Sequence, residues 1–444
     1  MDQQANLIVS GKYLMPTWRQ ADCIKHGAAA VHGDTIVAVG DRIELRERFP
    51  DAEELHEPAG LVMPGLINTH THAPMSYLRG IADDLPLMTW LQEHIFPVEK
   101  KLDPDMVYHS TRLSIAEMIK SGTTSFCDMY LFADQVARAA ARAGMRARLG
   151  EVLYDFDSPS YGPLKNGYDC VNDLFAAYCQ HPLITVTVDA HSVYTCAPSL
   201  LKTCGSLSEK HGSLFVVHLS ETDSEVETCR DRYGATPVEH LDNLGLLNER
   251  VLAAHCVKLT QKDIETLAER SVKVSHCVES NMKLASGAAP VPELLKRKVT
   301  VSIGTDGPAS NNDVDMFSEM SSVAKVHKVV NMDPTVMDAE TTLYCATMGG
   351  AEALGAGASI GSLEPGKKAD LIVLDLDQPH LTPLYNIPSH LVYAARGADV
   401  VHSVINGTMV MRNRELLTLD EAEVIDAMNR LRSKVLKIRD QAAG

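Results

Sequence analysis

The sequence has no apolar run approaching the roughly 20 residues that a bilayer-spanning helix needs, so no such helix is expected. Its N-terminus, MDQQANLIVSGKYL, lacks a basic start followed by an apolar stretch, which argues against an export signal. The ten cysteines include no Cys-x-x-Cys pair. Thiols scattered in this way suit a reducing cytoplasm better than a disulfide framework. Positive charge is also short. Lys and Arg number 41 against 58 Asp and Glu, the net charge is -17, and no long Lys/Arg run interrupts that balance. A nucleic-acid binder normally turns a basic face to the phosphates, so that class is not expected. What is present, 444 residues with 45% hydrophobic and 22% charged, is the composition of an ordinary globular protein with a sizeable core.

Both ends of the chain read as β-structure. Near the start, Ala28–Val31 and Thr35–Val39 flank a His-Gly-Asp turn. Near the end, Asp370–Leu374 is a short apolar run, and Ser403–Ile405 and Thr408–Met411 flank Asn406-Gly407. Asn-Gly between apolar runs signals a hairpin, because both residues accept the positive φ of a type I′ turn. The simplest arrangement is a small β-sandwich assembled from residues 1–60 and 362–417, with two unrelated terminal hairpins as the alternative. After Thr418, the residues Val424, Met428, Leu431, Val435 and Ile438 recur at helical spacing behind Thr418-x-x-Glu421, which has the form of a capping box. A helix over 418–444 docking on the body is expected.

Between the ends the rhythm changes. Apolar β-type runs recur at Leu61–Ile67, Thr123–Cys127, Met145–Val152, Ile184–Val188, Leu214–Val217, Val251–Ala254, Val272–Val274 and Val299–Ile303. Stretches of helical spacing, such as Tyr108–Lys120 and Leu131–Ala143, lie between them. Strands alternating with helices make parallel βαβ units, and eight of them close into a (β/α)8 barrel, here over residues 61–361.

Most of these runs end in a residue able to bind metal or move a proton: His70-Thr71-His72, His191, His218 with Glu221, His255, His276 and Asp306. Residues two apart on a strand share a face, so His70 and His72 can reach one ion together. In a barrel the C-terminal strand ends surround one mouth, where the remainder converge. A lone His at a strand end is commonly an ordinary polar residue, but the joint pattern points to a metal site. Three His nitrogens with one Asp oxygen suit one Zn²⁺, with Fe²⁺ or Mn²⁺ as alternatives, and such an ion brings the pKa of water down to about 7. Glu221, beside His218, is placed to give a proton to a substrate ring nitrogen; its other reading is a helix N-terminal acid favoured by the macrodipole.

The motifs PGLINTHTH, VHLSE, AAHC, SHCVESNMKLASG, IGTDGPASNN and LEPGKKADLIVLD resemble the amidohydrolase superfamily from about residue 60 to 375. The segment RGIADDLPLMTWLQEHIFPVEKKL (Arg79–Leu102) is similar to the 5-methylthioadenosine/S-adenosylhomocysteine deaminase group, a neighbour of the triazine hydrolases. The resemblance implies His70, His72, His218 and Asp306 as metal ligands. It implies that Asp306 also accepts a proton from the attacking water, which His255 orients. Glu221 would protonate purine N1 as C6 is attacked and ammonia leaves. Glu99 would hold the ribose hydroxyls, and His191 would make a further substrate contact. Two-metal relatives use a modified lysine after the fourth strand; here Asp189-Ala190-His191 contains none, so one metal per subunit is expected.

One departure concerns the 5′ end of the substrate. Relatives that grip the S-adenosylhomocysteine carboxylate use arginines after the third strand. Here the first such position holds Glu151, no arginine occurs between Arg148 and Arg230, and only Lys165 lies where the second would fall. A Glu there would repel a carboxylate tail and a lone Lys binds it less specifically than Arg, so neutral-tailed nucleosides are expected to be preferred. Trp90 is a candidate for packing on the purine and equally a core residue. Other readings are a deaminase of a free base, a triazine-type hydrolase on the same site, a binuclear amide-ring hydrolase, which the missing lysine disfavours, and a non-catalytic scaffold, which a complete ligand set argues against. The expected partner is thus a small purine nucleoside, with neither nucleic acid nor membrane. Many barrel enzymes form homo-oligomers, and this sequence specifies no number.

Overall fold

The computed structural model describes residues 4–85 and 89–442. Residues 86–88 of the Arg79–Leu102 segment, and the first and last few residues of the terminal segments, lie outside the described residues.

The middle of the chain forms eight parallel strands: β1 (Leu66–Thr71), β2 (Thr123–Tyr130), β3 (Arg146–Leu153), β4 (Val188–Ser192), β5 (Phe215–Leu219), β6 (Val251–His255), β7 (Lys273–His276) and β8 (Val301–Ile303). Each pairs in parallel with the next in sequence. Helices cover their outer faces, so the strands read as continuous apolar runs; Phe215, Val216 and Val217 are all buried. β8 returns to β1 through the Asp306 N–H, which donates to the His70 carbonyl at 2.9 Å, and the Thr305 N–H, which donates to Asn68 Oδ1 at 3.0 Å. The ring of strands is thereby drawn into a barrel.

Both chain ends meet in a second, nine-stranded sheet. Its central pair, Leu7–Leu14 and Glu53–Pro64, is parallel; Leu371–Asp375 continues it on one side and Gly27–His32 on the other, both antiparallel. Alternation sorts the side chains. Leu7, Val9, Val31, Val62, Leu371 and Val404 share one core, while Ile8, Ala28 and Ala30 face Leu45 and Phe49 on the other side. The Asn406-Gly407 hairpin forms as expected, with φ of 52° and 75°.

Three local expectations are corrected. The run Leu61–Ile67 is two strands, the terminal sheet keeping the chain through Pro64 and the barrel taking it from Leu66. Gly65 makes the transfer against Thr124, whose Oγ1 would lie 2.0 Å from any added Cβ. The run Ile184–Val188 breaks at Thr187 into Ile184–Val186, an extra strand on β3, and β4. The Thr418-x-x-Glu421 capping box does not form. Thr418 donates to the Ala143 carbonyl at 2.8 Å and Glu421 pairs with Lys120 at 2.7 Å, both on barrel helices. Asp420 instead accepts the Glu423 N–H at 3.0 Å, and the helix Glu421–Ala442 begins there.

Candidate active site

The polar strand ends converge as the barrel geometry requires. His72 Nε2 lies 3.2 Å from His218 Nε2 and 3.2 Å from Asp306 Oδ1, and His70 Nε2 lies 3.6 Å from the same oxygen. The outer nitrogens are held away from this point. His72 Nδ1 donates to the Met129 carbonyl at 2.5 Å, and His218 Nδ1 donates to the His191 carbonyl at 2.7 Å. With both Nδ1 atoms so engaged, the two Nε2 atoms face each other 3.2 Å apart beside Asp306 Oδ1, an arrangement that a shared cation would satisfy. Both ring nitrogens of His70 and the Oδ1 of Asp306 are buried without a hydrogen-bond partner among the described residues. Unpaired buried polar atoms are costly, and a divalent ion would satisfy all of them at once.

Burial holds the His70 and His218 imidazoles well below their usual range and lowers His191 to about 4, so these three stay neutral. Burial also opposes protonation of His72, but the adjoining Asp306 carboxylate raises it to about 9, so without an ion a proton takes the place beside Asp306 that a cation would fill. Burial opposes ionisation of Asp306, but the His72 ring 3.2 Å from its Oδ1 and the other surrounding imidazoles hold the carboxyl well below the ordinary range. Its Oδ2 accepts the hydroxyls of Ser280 at 2.6 Å and Ser310 at 2.9 Å, leaving Oδ1 to the histidines. Gly304 lets β8 approach so closely. A Cβ there would stand 2.7 Å from both the His70 nitrogen and Ser275 Oγ.

His255 and Asp306 both leave their strands in the left-handed region, with φ of 71° and 62°. Such strain in non-glycine residues persists where the surroundings over-determine it, as at sites that aim a side chain. His255 Nδ1 donates to Asn281 Oδ1 at 2.9 Å, and its Nε2 lies 3.9 Å from Glu221 Oε2. Glu221 is not the helix N-terminal acid. That role belongs to Glu225, which accepts the N–H groups of Ser220 and Glu221 at 2.9 and 2.7 Å. Burial pushes the Glu221 carboxyl up, with His255 opposing, and so favours a proton-carrying acid.

These groups open onto one cavity of about 510 Å³ that Glu99, Trp90, His191 and Tyr154 also line. Glu99 ends the short helix Phe96–Glu99 and accepts the Tyr130 hydroxyl at 2.6 Å, with the Tyr77 hydroxyl 2.9 Å beyond. Burial raises its carboxyl, while the Tyr130 hydrogen bond works the other way. His191 Nδ1 lies 2.9 Å from Thr195 Oγ1. Trp90 is both core and cavity wall, its indole N–H donating to the Ala82 carbonyl at 3.2 Å.

Three sequence candidates sit elsewhere. His276 turns away and meets His327 Nε2 at 3.0 Å. Glu151 is buried outside the cavity, accepting the N–H of Ala133 at 2.8 Å at the start of the helix Ala133–Ala143. Its neighbour Val152 faces in, so strand alternation turns Glu151 out and removes the repulsion expected of it. Lys165 is exposed and does not line the cavity. Sequence reasoning missed Tyr130, Ser280, Asn281 and Ser310. Ser280, Asn281 and Ser310 lie inside the quoted motifs, which hinted at them, whereas Tyr130 lies outside every motif; each acts through a partner distant in the chain.

Comparison with known proteins completes the description. The Amidohydrolase family profile matches residues 61–410. A 5-methylthioadenosine/S-adenosylhomocysteine deaminase of Syntrophobacter fumaroxidans is 53% identical over 422 residues, covering 95% of this chain and 96% of that protein. A 5′-deoxyadenosine deaminase of Methanothermobacter thermautotrophicus is 42% identical over 96% of this chain and 97% of its own length. The solved structure of an adenosine deaminase from Xanthomonas campestris with bound zinc is 40% identical, with a TM-score of 0.96 over 98% of this chain and 100% of that one. The profile match spans most of the sequence and these relatives are similar from end to end; the chain belongs to the amidohydrolase family.

Proposed function

We propose that this chain hydrolytically deaminates an adenosine-type nucleoside, releasing ammonia and the inosine analogue, with one divalent ion, Zn²⁺ by preference, held by His70, His72, His218 and Asp306. The observation that carries the reading is the single cavity shared by this cluster, an acid of raised pKa at Glu221 and a second carboxyl at Glu99. A bound ion of this kind makes water a competent nucleophile near neutral pH. Glu221, whose burial favours the proton-carrying form, gives its proton to purine N1, which draws electron density from C6 as the C6–O bond forms. Asp306 takes a proton from the attacking water, whose approach His255 orients. Glu221, now a carboxylate, takes the proton left on the added oxygen and relays it to the departing amino group, so that the C6–N bond breaks with loss of ammonia, and the proton held by Asp306 restores Glu221. Glu99 accepts hydrogen bonds from the ribose hydroxyls, and His191 contacts the purine.

Among the described residues lining the cavity there is no arginine, and its charged members besides Glu221 and Asp306 are Glu99, Lys100 and Asp157. Aromatic walls at Tyr154 and Phe156, with ring centroids 4.0 Å apart, suit an uncharged 5′ substituent instead. Ammonia release from methylthioadenosine, adenosine, 5′-deoxyadenosine and S-adenosylhomocysteine, measured side by side with guanine as a control, tests both points. A higher kcat/KM for methylthioadenosine than for S-adenosylhomocysteine is expected, and the reverse order would refute the neutral-tail preference. Silence on every nucleoside from metal-loaded protein would shift the substrate to a free base or triazine.

Replacing Glu99 with Gln should raise KM for nucleosides by roughly 10-fold or more, the value of a charge-assisted hydrogen bond, with metal content unchanged. An unaltered KM would mean that no ribose is held there. The ten cysteines are all unpaired, which supports a reducing, cytoplasmic setting for this reaction.

A further inference from the structure

The motif SHCVESNMKLASG contributes no ring to the metal cluster, because His276 turns toward His327. We propose that the segment behind it, centred on Asn281, is the positioning element for the three proton-handling groups, an inference that rests on the deaminase reading for their roles. Three buried side chains from one stretch reach three different strand ends. Ser280 donates to Asp306 Oδ2 at 2.6 Å, Asn281 accepts from His255 Nδ1 at 2.9 Å, and Ser286 donates to Glu221 Oε1 at 3.4 Å.

The local fold explains how residues so close in sequence do this. The helix Val278–Lys283 presents Ser280 and Asn281 on its buried side. Ala285, at φ 54°, then reverses the chain, and the Ser286 N–H returns to the Asn281 carbonyl at 2.8 Å. Asn281 and Ser286 are thus tied to each other as well as to their targets.

Each contact selects one state of its partner. Ser280, with Ser310, occupies Asp306 Oδ2, so Oδ1 is the oxygen turned to His70 and His72. The Asn281 side-chain oxygen can only accept, so Nδ1 of His255 carries a proton and Nε2 is the atom turned toward Glu221. Asn281 touches neither the cluster nor the cavity; it acts through His255.

The test is Asn281→Leu, near in volume but without an acceptor, beside Asn281→Asp, which keeps one. In the metal-loaded enzyme Asn281→Leu should lower kcat about 10- to 100-fold, the usual cost of losing an outer partner of a site residue. KM and zinc stoichiometry should stay within about twofold, and Asn281→Asp should recover most of kcat. A second readout does not need turnover. With ¹⁵N-labelled histidine, the Nδ1–H resonance absent from a His255→Gln protein should also vanish in Asn281→Leu and persist in Asn281→Asp.

Persistence of that resonance in Asn281→Leu, or a kcat within threefold of the parent, would overturn the proposal. Loss of the resonance in a protein whose parent deaminates no nucleoside would uphold the positioning and overturn the deaminase reading. Should Asn281→Leu fail to fold, Ser286→Ala removes only the hydroxyl facing Glu221; a several-fold fall in kcat at constant KM supports the element, and an unchanged kcat refutes it.

Discussion

Glu221→Gln should give a folded protein that keeps its ion yet deaminates adenosine derivatives about 10²- to 10⁴-fold more slowly, the range supplied by a positioned general acid. The amide matches the carboxyl in size but has no acidic proton to give to N1 and cannot relay one to the leaving amino group. The substitution is otherwise mild. Glu221 caps nothing, because Thr222 and Glu225 bond the backbone at the start of the helix Asp223–Tyr233. Removing an acid whose burial raises its pKa also removes a desolvation cost. Thermal stability should therefore hold or rise slightly. Ammonia release, a melting curve and metal analysis on one preparation check all three statements, and a kcat within tenfold of the parent would exclude Glu221 as the acid.

Stripping the ion should abolish turnover and destabilise the fold together. Without a cation, the Nε2 atoms of His72 and His218 confront each other at 3.2 Å and both nitrogens of buried His70 lack partners. Burial holds His70 and His218 well below their usual pKa, so of the three ligand histidines only His72, raised to about 9 beside Asp306, takes a proton in the ion's place. A ligand that binds only the native state stabilises it by about 4 kcal/mol at a thousandfold excess over its Kd, and chelation forfeits that amount. The melting temperature should fall by several degrees, and activity should return on adding zinc. Full activity in protein shown to be metal-free would sink both the ligand assignment and the reaction proposed for it.

Much of this molecule was legible in its sequence. The barrel was readable because each βα unit carries its own local signature, an apolar run buried on both faces followed by an amphipathic helix, and because closure forces all the C-terminal strand ends to one mouth. His70, His72, His218, His255, Glu221 and Asp306 were found that way, and the structure brings them together. The Asn406-Gly407 hairpin was equally legible, since a type I′ turn depends on two adjacent residues alone.

The misreadings share one cause, a partner remote in the chain. His276 ends its strand just as His255 does, yet His327 on a later helix claims its ring. Thr418 and Glu421 have the form of a capping box, but the Ala143 carbonyl and the Lys120 ammonium offer them competing bonds. Glu151 occupied the aligned position of a tail-binding arginine, and the alternation of β3 turned it to a helix N-terminus instead.

By itself, then, the sequence determined the order of strands and helices, the chemistry of the donor set and the family to which the chain belongs, because periodicity, turn geometry and motif spacing are properties of neighbouring residues. The tertiary structure alone decided which strand-end histidines face the cluster, which oxygen of Asp306 meets them, that Tyr130 holds Glu99, and that one stretch around Asn281 serves three strand ends. Those choices are made by hydrogen bonds and packing between residues far apart in sequence, and they come into being only when the barrel closes.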